Sequence, residues 1–183
     1  MPQNPAKPLL LVDVDGVISL FGPGLDVGSG GRWITVDGIA HFLSERVGDH
    51  LRALAESFDL VWCTGWEERA NDHLPRELGF PGPLPTIFFA ERPEHLAHWK
   101  LGGIEAFAGP DRALAWIDDS HDDACHAWAA ERPGPTLLVA VEPDRGLTAA
   151  EADDLRAWAE RCRRGSEGRR TRTPGPSLAR AGN

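Results

Sequence analysis

The chain has 183 residues, enough for one α/β domain with a short extension at either end. Its formal net charge is −9, unevenly spread: residues 161–183 hold seven Arg against one Glu, a net of +6, which leaves −15 on residues 1–160. An acidic body argues against a dedicated duplex-DNA binder. The odd, widely spaced Cys63, Cys125 and Cys162 argue against a disulfide framework, and no apolar run is long enough to cross a bilayer.

Met1 to Pro8 is short, polar and proline-rich, without the charged and apolar regions of a secretory signal. It reads as an N-terminal extension, and the expected compartment is the cytoplasm. Leu9-Leu10-Leu11-Val12 is an unbroken apolar run, the mark of a strand buried on both faces of a parallel sheet. Asp13, Asp15 and Gly16 follow. Alternation along an extended strand sends both carboxylates the same way, and like charges that close are costly in a dry site. Asp-x-Asp-Gly therefore suggests a hard-metal site, although a turn after a core strand also accounts for Asp15-Gly16.

Ser19 to Gly31 is dense in glycine but has neither GxGxxG spacing nor a following Gly-Lys-Ser/Thr, so the usual phosphate loops are not supported. It reads as a loop beside the site, with a short hairpin through Trp33-Ile34-Thr35-Val36. From Val36 to Ser57 the spacing of Phe42, Val47, Leu51, Leu54 and Phe58 predicts a helix. Asp59 to Thr64 predicts a second buried strand, and a helix from Glu67 is stopped by Gly79 and Pro81. Ile87-Phe88-Phe89 predicts a third strand. A helix over 94–107 carries Lys100, and Leu114-Ala115-Trp116-Ile117 predicts a fourth strand, ending in Asp118-Asp119. A helix over 122–132, a fifth strand over 135–141 and a last helix from Thr148 to Cys162 complete the domain. Residues 163–183, rich in Arg, Gly, Ser, Thr and Pro, predict a basic, disordered tail. Strands alternating with helices at these spacings imply right-handed crossovers and a parallel sheet with helices on both faces.

Three strands thus end in polar groups: Asp13 and Asp15, then Thr64, then Asp118 and Asp119, with Lys100 before the last. Their order resembles the haloacid dehalogenase (HAD) superfamily of phosphohydrolases, on the strings LLLVDVDGV, LVWCTGW, Lys100 in HWKLGGI, and LAWIDDSHDD. The match spans residues 9–142. The strings CTGWEERAN, ELGFPGPLP, AWIDD and PTLLVAVEPDRGLT are further similar to the HAD domain of "Swiss Army Knife" RNA-repair proteins. The resemblance implies an α/β, HAD-like (Rossmannoid) three-layer sandwich over residues 9–162. Its central parallel sheet would have about five strands, with no large cap domain.

The resemblance also implies roles. Asp13 is the expected nucleophile, forming an aspartyl-phosphate, and Asp15 the acid and then the base. Mg²⁺ is expected on the Asp13 carboxylate, the Asp15 backbone carbonyl and Asp118. Thr64 and the Gly65 amide are expected to bind the phosphoryl group, and Lys100 to neutralise charge. Trp66 is a candidate for the edge of the substrate pocket, and Asp119, Asp122 and Asp123 are candidates to support the metal. His95, His98, His121, Cys125 and His126 form only incomplete sets for zinc. The expected substrate is phosphorylated: a nucleic-acid (RNA) end or another large phosphorylated molecule. No membrane or obligate protein partner is inferred. A non-catalytic phosphate-binding module, or phosphoryl transfer to an acceptor other than water, are the rival readings.

Overall fold

The structure, a computed structural model, describes residues 7–90 and 97–170. The order of its elements follows from alternating apolar runs and amphipathic stretches. β1 (Leu9–Val12) is followed by a small insertion of β2 (Ser19–Leu20), β3 (Gly31–Val36) and β4 (Ile39–Ser44). Then come α1 (Glu45–Leu54), β5 (Asp59–Trp62), α2 (Ala70–Glu77), α3 (Leu101–Ala108), β6 (Leu114–Asp118), α4 (Asp123–Glu131), β7 (Thr136–Ala140) and α5 (Ala149–Arg170).

The main sheet has four parallel strands in the order β5-β1-β6-β7. β1 is central, and its side chains alternate between two cores. Leu10 and Val12 pack with Val47, Leu51, Leu74, Leu155 and Trp158, while Leu9 and Leu11 pack with Ile104, Trp116 and Cys125. Helices α1, α2 and α5 therefore cover one face of the sheet, and α3 and α4 contribute to the core on the other. Each buried aliphatic side chain contributes roughly 1.5–3 kcal/mol, and all four residues of β1 are buried. The chain steps from β1 to β5 on one side and later to β6 on the other. Beyond the carboxyl ends of β1 and β6, where the order reverses, an open α/β sheet forms its ligand crevice.

Four expectations are corrected. The stretch 36–57 is not one helix: Asp37 (φ 50°) and Gly38 (φ 81°) make a tight hairpin turn, and β4 pairs with β3 in antiparallel register from Val36↔Ile39 to Gly31↔Ser44. Asp-Gly tolerates the left-handed backbone that such turns require, which outweighs the helical spacing before Ser44. Ser44 then caps α1, its Oγ accepting from Val47 N–H.

Secondly, the segment around Ile87 is no strand of the sheet. It touches β5 at the single bridge Trp62↔Thr86, so the sheet has four strands rather than about five. Pro81, Pro83 and Pro85 lack the N–H groups a longer ladder needs. Thirdly, the segment preceding α3 is a 3-10 turn over Ala97–Lys100, and the earlier part of the predicted helix, with His95, lies outside the described residues.

Lastly, α5 runs past Cys162 to Arg170. Arg and Glu are good helix formers, and Arg164 pairs with Glu160 one turn earlier, so the first part of the presumed tail is helical. Residues 171–183, and residues 1–6 of the N-terminal extension, lie outside the described residues. Among the described residues, no helix is long and apolar enough to cross a membrane.

Candidate active site

Asp13 follows directly on β1, where Leu9–Val12 ends, and its N–H still donates to Ile117 O of β6. The carboxylate is buried. Its Oδ1 accepts from Val14 N–H at 2.8 Å, and its Oδ2 lies 2.9 Å from Lys100 Nζ. Lys100 closes the 3-10 turn before α3 and reaches across to the sheet, where its Nζ also donates to Asp118 Oδ2 at 2.7 Å. Asp118, the last residue of β6, accepts a further hydrogen bond from Ser120 N–H at 3.0 Å. One buried ammonium therefore joins the tips of β1 and β6.

The electrostatics follow from that sharing. Burial pushes Asp13 up to about 6, against the pull of Lys100, and Asp118 adds to the rise. Asp118 is raised by burial as well, again opposed by Lys100. Burial disfavours the charged form of Lys100, but the two carboxylates outweigh it and hold the ammonium well above its ordinary range. Two buried acids on one amine are short of a positive charge. Asp119, raised by burial too, lengthens the deficit. Oxygens of Asp13, Asp118 and Asp119 all lie within 4.8 Å of one another.

This is the fit expected of a hard divalent cation: oxygen donors only, clustered, and with excess negative charge. Asp119 thus belongs to the acidic trio rather than to its surroundings. The side chain of Asp15 is not in the trio, so any share of Asp15 in a metal site falls to its backbone carbonyl. Gly16 (φ 74°) is needed where it stands, because a Cβ there would lie 2.4 Å from Asp119 Oδ2. Its N–H donates to Ser19 O, and the N–H groups of Val17, Ile18 and Ser19 all return to Val14 O.

Asp15 instead meets two aromatic rings. Trp66 Nε1 donates to its Oδ2 at 2.9 Å, and His41 Nδ1 stands 3.7 Å from its Oδ1. The two rings pack edge to face, 4.7 Å between centroids. Burial raises Asp15, with the Trp66 hydrogen bond working against the shift. Thr64, at the end of β5, is fully buried. Its Oγ1 accepts from Trp66 N–H at 3.3 Å, which leaves its own proton available for donation. Gly65 is exposed and precedes a 3-10 turn over Glu67–Arg69 that leads into α2.

Asp122 and Asp123 stand apart from this group. Asp122 caps α4, accepting from Cys125 N–H at 3.0 Å, and meets His98 Nδ1 at 2.7 Å. Asp123 is exposed in the first turn of α4. Among the described residues, no zinc set forms from His98, His121, Cys125 and His126.

Sequence reasoning missed His41 and Ser19, whose Oγ lies 2.9 Å from His41 Nδ1. Both would follow from reading Asp37-Gly38 as a hairpin turn, which returns β4, and His41 with it, over the tip of β1. No family model matches the chain, and no curated protein matches it.

Proposed function

We propose that the protein is a Mg²⁺-dependent phosphohydrolase of the HAD superfamily, acting through an aspartyl-phosphate on phosphate monoesters. The observation that carries this reading is Lys100, shared between the buried Asp13 and Asp118 with the Asp15 carboxylate held separately nearby. A module that only bound phosphate would need the amine and the hydroxyl. It would not need a nucleophile placed against one acid and a second acid kept out of the cation cluster.

In this reading an oxygen of Asp13 attacks phosphorus in line, and the bond to the leaving oxygen breaks as the new one forms. Asp15 protonates the leaving oxygen, then takes a proton from the water that hydrolyses the aspartyl-phosphate. Thr64 donates to a phosphoryl oxygen, and Lys100 offsets the negative charge on the phosphoryl group. A bound Mg²⁺ supplies further neutralisation for the phosphoryl oxygens among the carboxylates. Asp13, Asp118 and Asp119 would hold it.

Between β1 and α1 the chain inserts only three short strands, too little for a separate specificity domain. That favours a phosphate presented on a large molecule, and the likeness to RNA-repair domains makes an RNA end the leading substrate class. The test is release of inorganic phosphate from 5′- and 3′-phosphorylated RNA oligonucleotides and from small phosphate esters. Hydrolysis is expected with Mg²⁺, and background rates with excess chelator or with Asp13→Asn. Full activity in either of those controls would overturn the reading.

A further inference from the structure

The hydrogen bond that Trp66 donates to Asp15 goes beyond what phosphate hydrolysis requires of an acid. The Asp15 side chain is half-exposed, at 51%, and among the described residues its one hydrogen bond is the one from Trp66. We infer that Trp66, braced by the His41 ring, is a positioning residue that fixes the Asp15 carboxylate and selects Oδ1 as the oxygen that carries the transferred proton. This inference rests on the phosphohydrolase reading above.

The selection follows from donor chemistry. An indole Nε1–H donates and never accepts, so the 2.9 Å bond from Trp66 makes Oδ2 the acceptor in both protonation states of Asp15. The carbonyl oxygen of a protonated carboxyl is its better acceptor, so in the acid form the Trp66 bond favours the proton on Oδ1. That oxygen faces His41 Nδ1 at 3.7 Å, beyond hydrogen-bond reach, while the same nitrogen is engaged by Ser19 Oγ at 2.9 Å. Oδ1 is thereby left free for the substrate.

Trp66 is itself pinned, by its N–H on Thr64 Oγ1 and by its ring against His41. One residue therefore ties the phosphate-binding hydroxyl to the proton donor. As the bond from phosphorus to the leaving oxygen breaks, its electron pair stays on that oxygen, which takes the proton from Asp15 Oδ1. The resulting carboxylate keeps the Trp66 hydrogen bond. It then accepts a proton at the same oxygen when water attacks the aspartyl-phosphate and releases inorganic phosphate and free Asp13.

Trp66→Phe keeps the ring and removes only the donor. With Mg²⁺ present, kcat/KM, which reports the step that expels the leaving group and not the later hydrolysis, should fall about tenfold or more on an alkyl phosphate. On p-nitrophenyl phosphate, whose leaving group barely needs a proton, kcat/KM should fall no more than about threefold. His41→Phe, which keeps the ring but not its nitrogen, should shift the same ratio less. An inert wild type would remove the phosphohydrolase reading and this inference together. An active wild type with equal losses on both substrates, or none, would overturn this inference alone. Should Trp66→Phe fail to fold, the Trp66 indole N–H can be followed by NMR in the wild type. Its resonance should shift and exchange faster with solvent in Asp15→Ala, and an unchanged signal would overturn the inference.

Discussion

His121 lies two residues beyond the Asp118-Asp119 pair, with its ring edge-on to Trp116 at 4.6 Å between centroids. Both ring nitrogens are buried without a hydrogen-bond partner among the described residues. Burial, with His126 and Lys100 adding to it, pushes the imidazole down to about 4. The unfolded chain takes up this proton near the ordinary histidine value of about 6.5, while the folded chain resists it until about 4. Stability therefore falls as pH drops through that window, because only the unfolded state gains the proton there. A cation on the neighbouring acids would push the same way. His121→Phe removes the titration and leaves a ring of similar shape against Trp116. The variant's urea midpoint should match or exceed that of the wild type at pH 7 and should lose less between pH 7 and pH 5. An unchanged acid slope would show that His121 is not the group responsible.

At the scale of the element, α3 shows how packing overrides propensity. Gly102 and Gly103 weaken the helical signal, yet Leu101–Ala108 is helical because Ile104 is fully buried beneath it. The two glycines differ in what surrounds them. A Cβ at Gly102 meets nothing within 4 Å, whereas at Gly103 it would lie 2.7 Å from Phe89 Cδ1 and 3.0 Å from Phe88 O. Gly102→Ala should therefore raise stability by about 0.5–1 kcal/mol, and Gly103→Ala should lower it by about 1–3 kcal/mol. Urea titrations of the two variants check both signs. The same contrast explains what was legible in the sequence. β1, β5 and β6 could be read because buried strands leave unbroken apolar runs, and the partly buried edge strand β7 carries such a run as well. The strand tips followed from them, so Asp13, Thr64 and Asp118 fell in one place. β4 could not be read from periodicity, since Phe42 belongs to a helical spacing as well as to a hairpin face. With β4 went His41 and the true setting of Asp15.

For the whole molecule, the charge at the carboxyl ends of β1 and β6 is where the fold and the proposed function meet. Three carboxylates of Asp13, Asp118 and Asp119 converge, while Lys100 is the cation bonded to two of them. The folded chain holds these like charges together and the unfolded chain does not, so their repulsion is a cost of folding. A ligand that binds only the folded state stabilises it by about 2.7 kcal/mol at a hundredfold excess over its dissociation constant. For a chain of this length that corresponds to a rise in melting temperature of roughly 5–10 °C. Saturating Mg²⁺ should produce such a rise over the chelated protein, measured without any substrate. Asp119→Asn should reduce it, and Asp13→Asn should reduce it more, because Asp13 is buried whereas Asp119 is only partly so. Asp15→Asn should keep it, since the Asp15 carboxylate turns toward Trp66 and a backbone carbonyl survives the substitution. Equal melting temperatures with Mg²⁺ and with chelator would remove the cation from the proposed chemistry. Loss of the whole effect in Asp15→Asn alone would instead move the cation from the Asp13, Asp118 and Asp119 oxygens to the Asp15 side chain. That outcome would also leave the Trp66 hydrogen bond without the role argued for it, because one carboxylate cannot both carry the ion and stay aimed at the leaving oxygen.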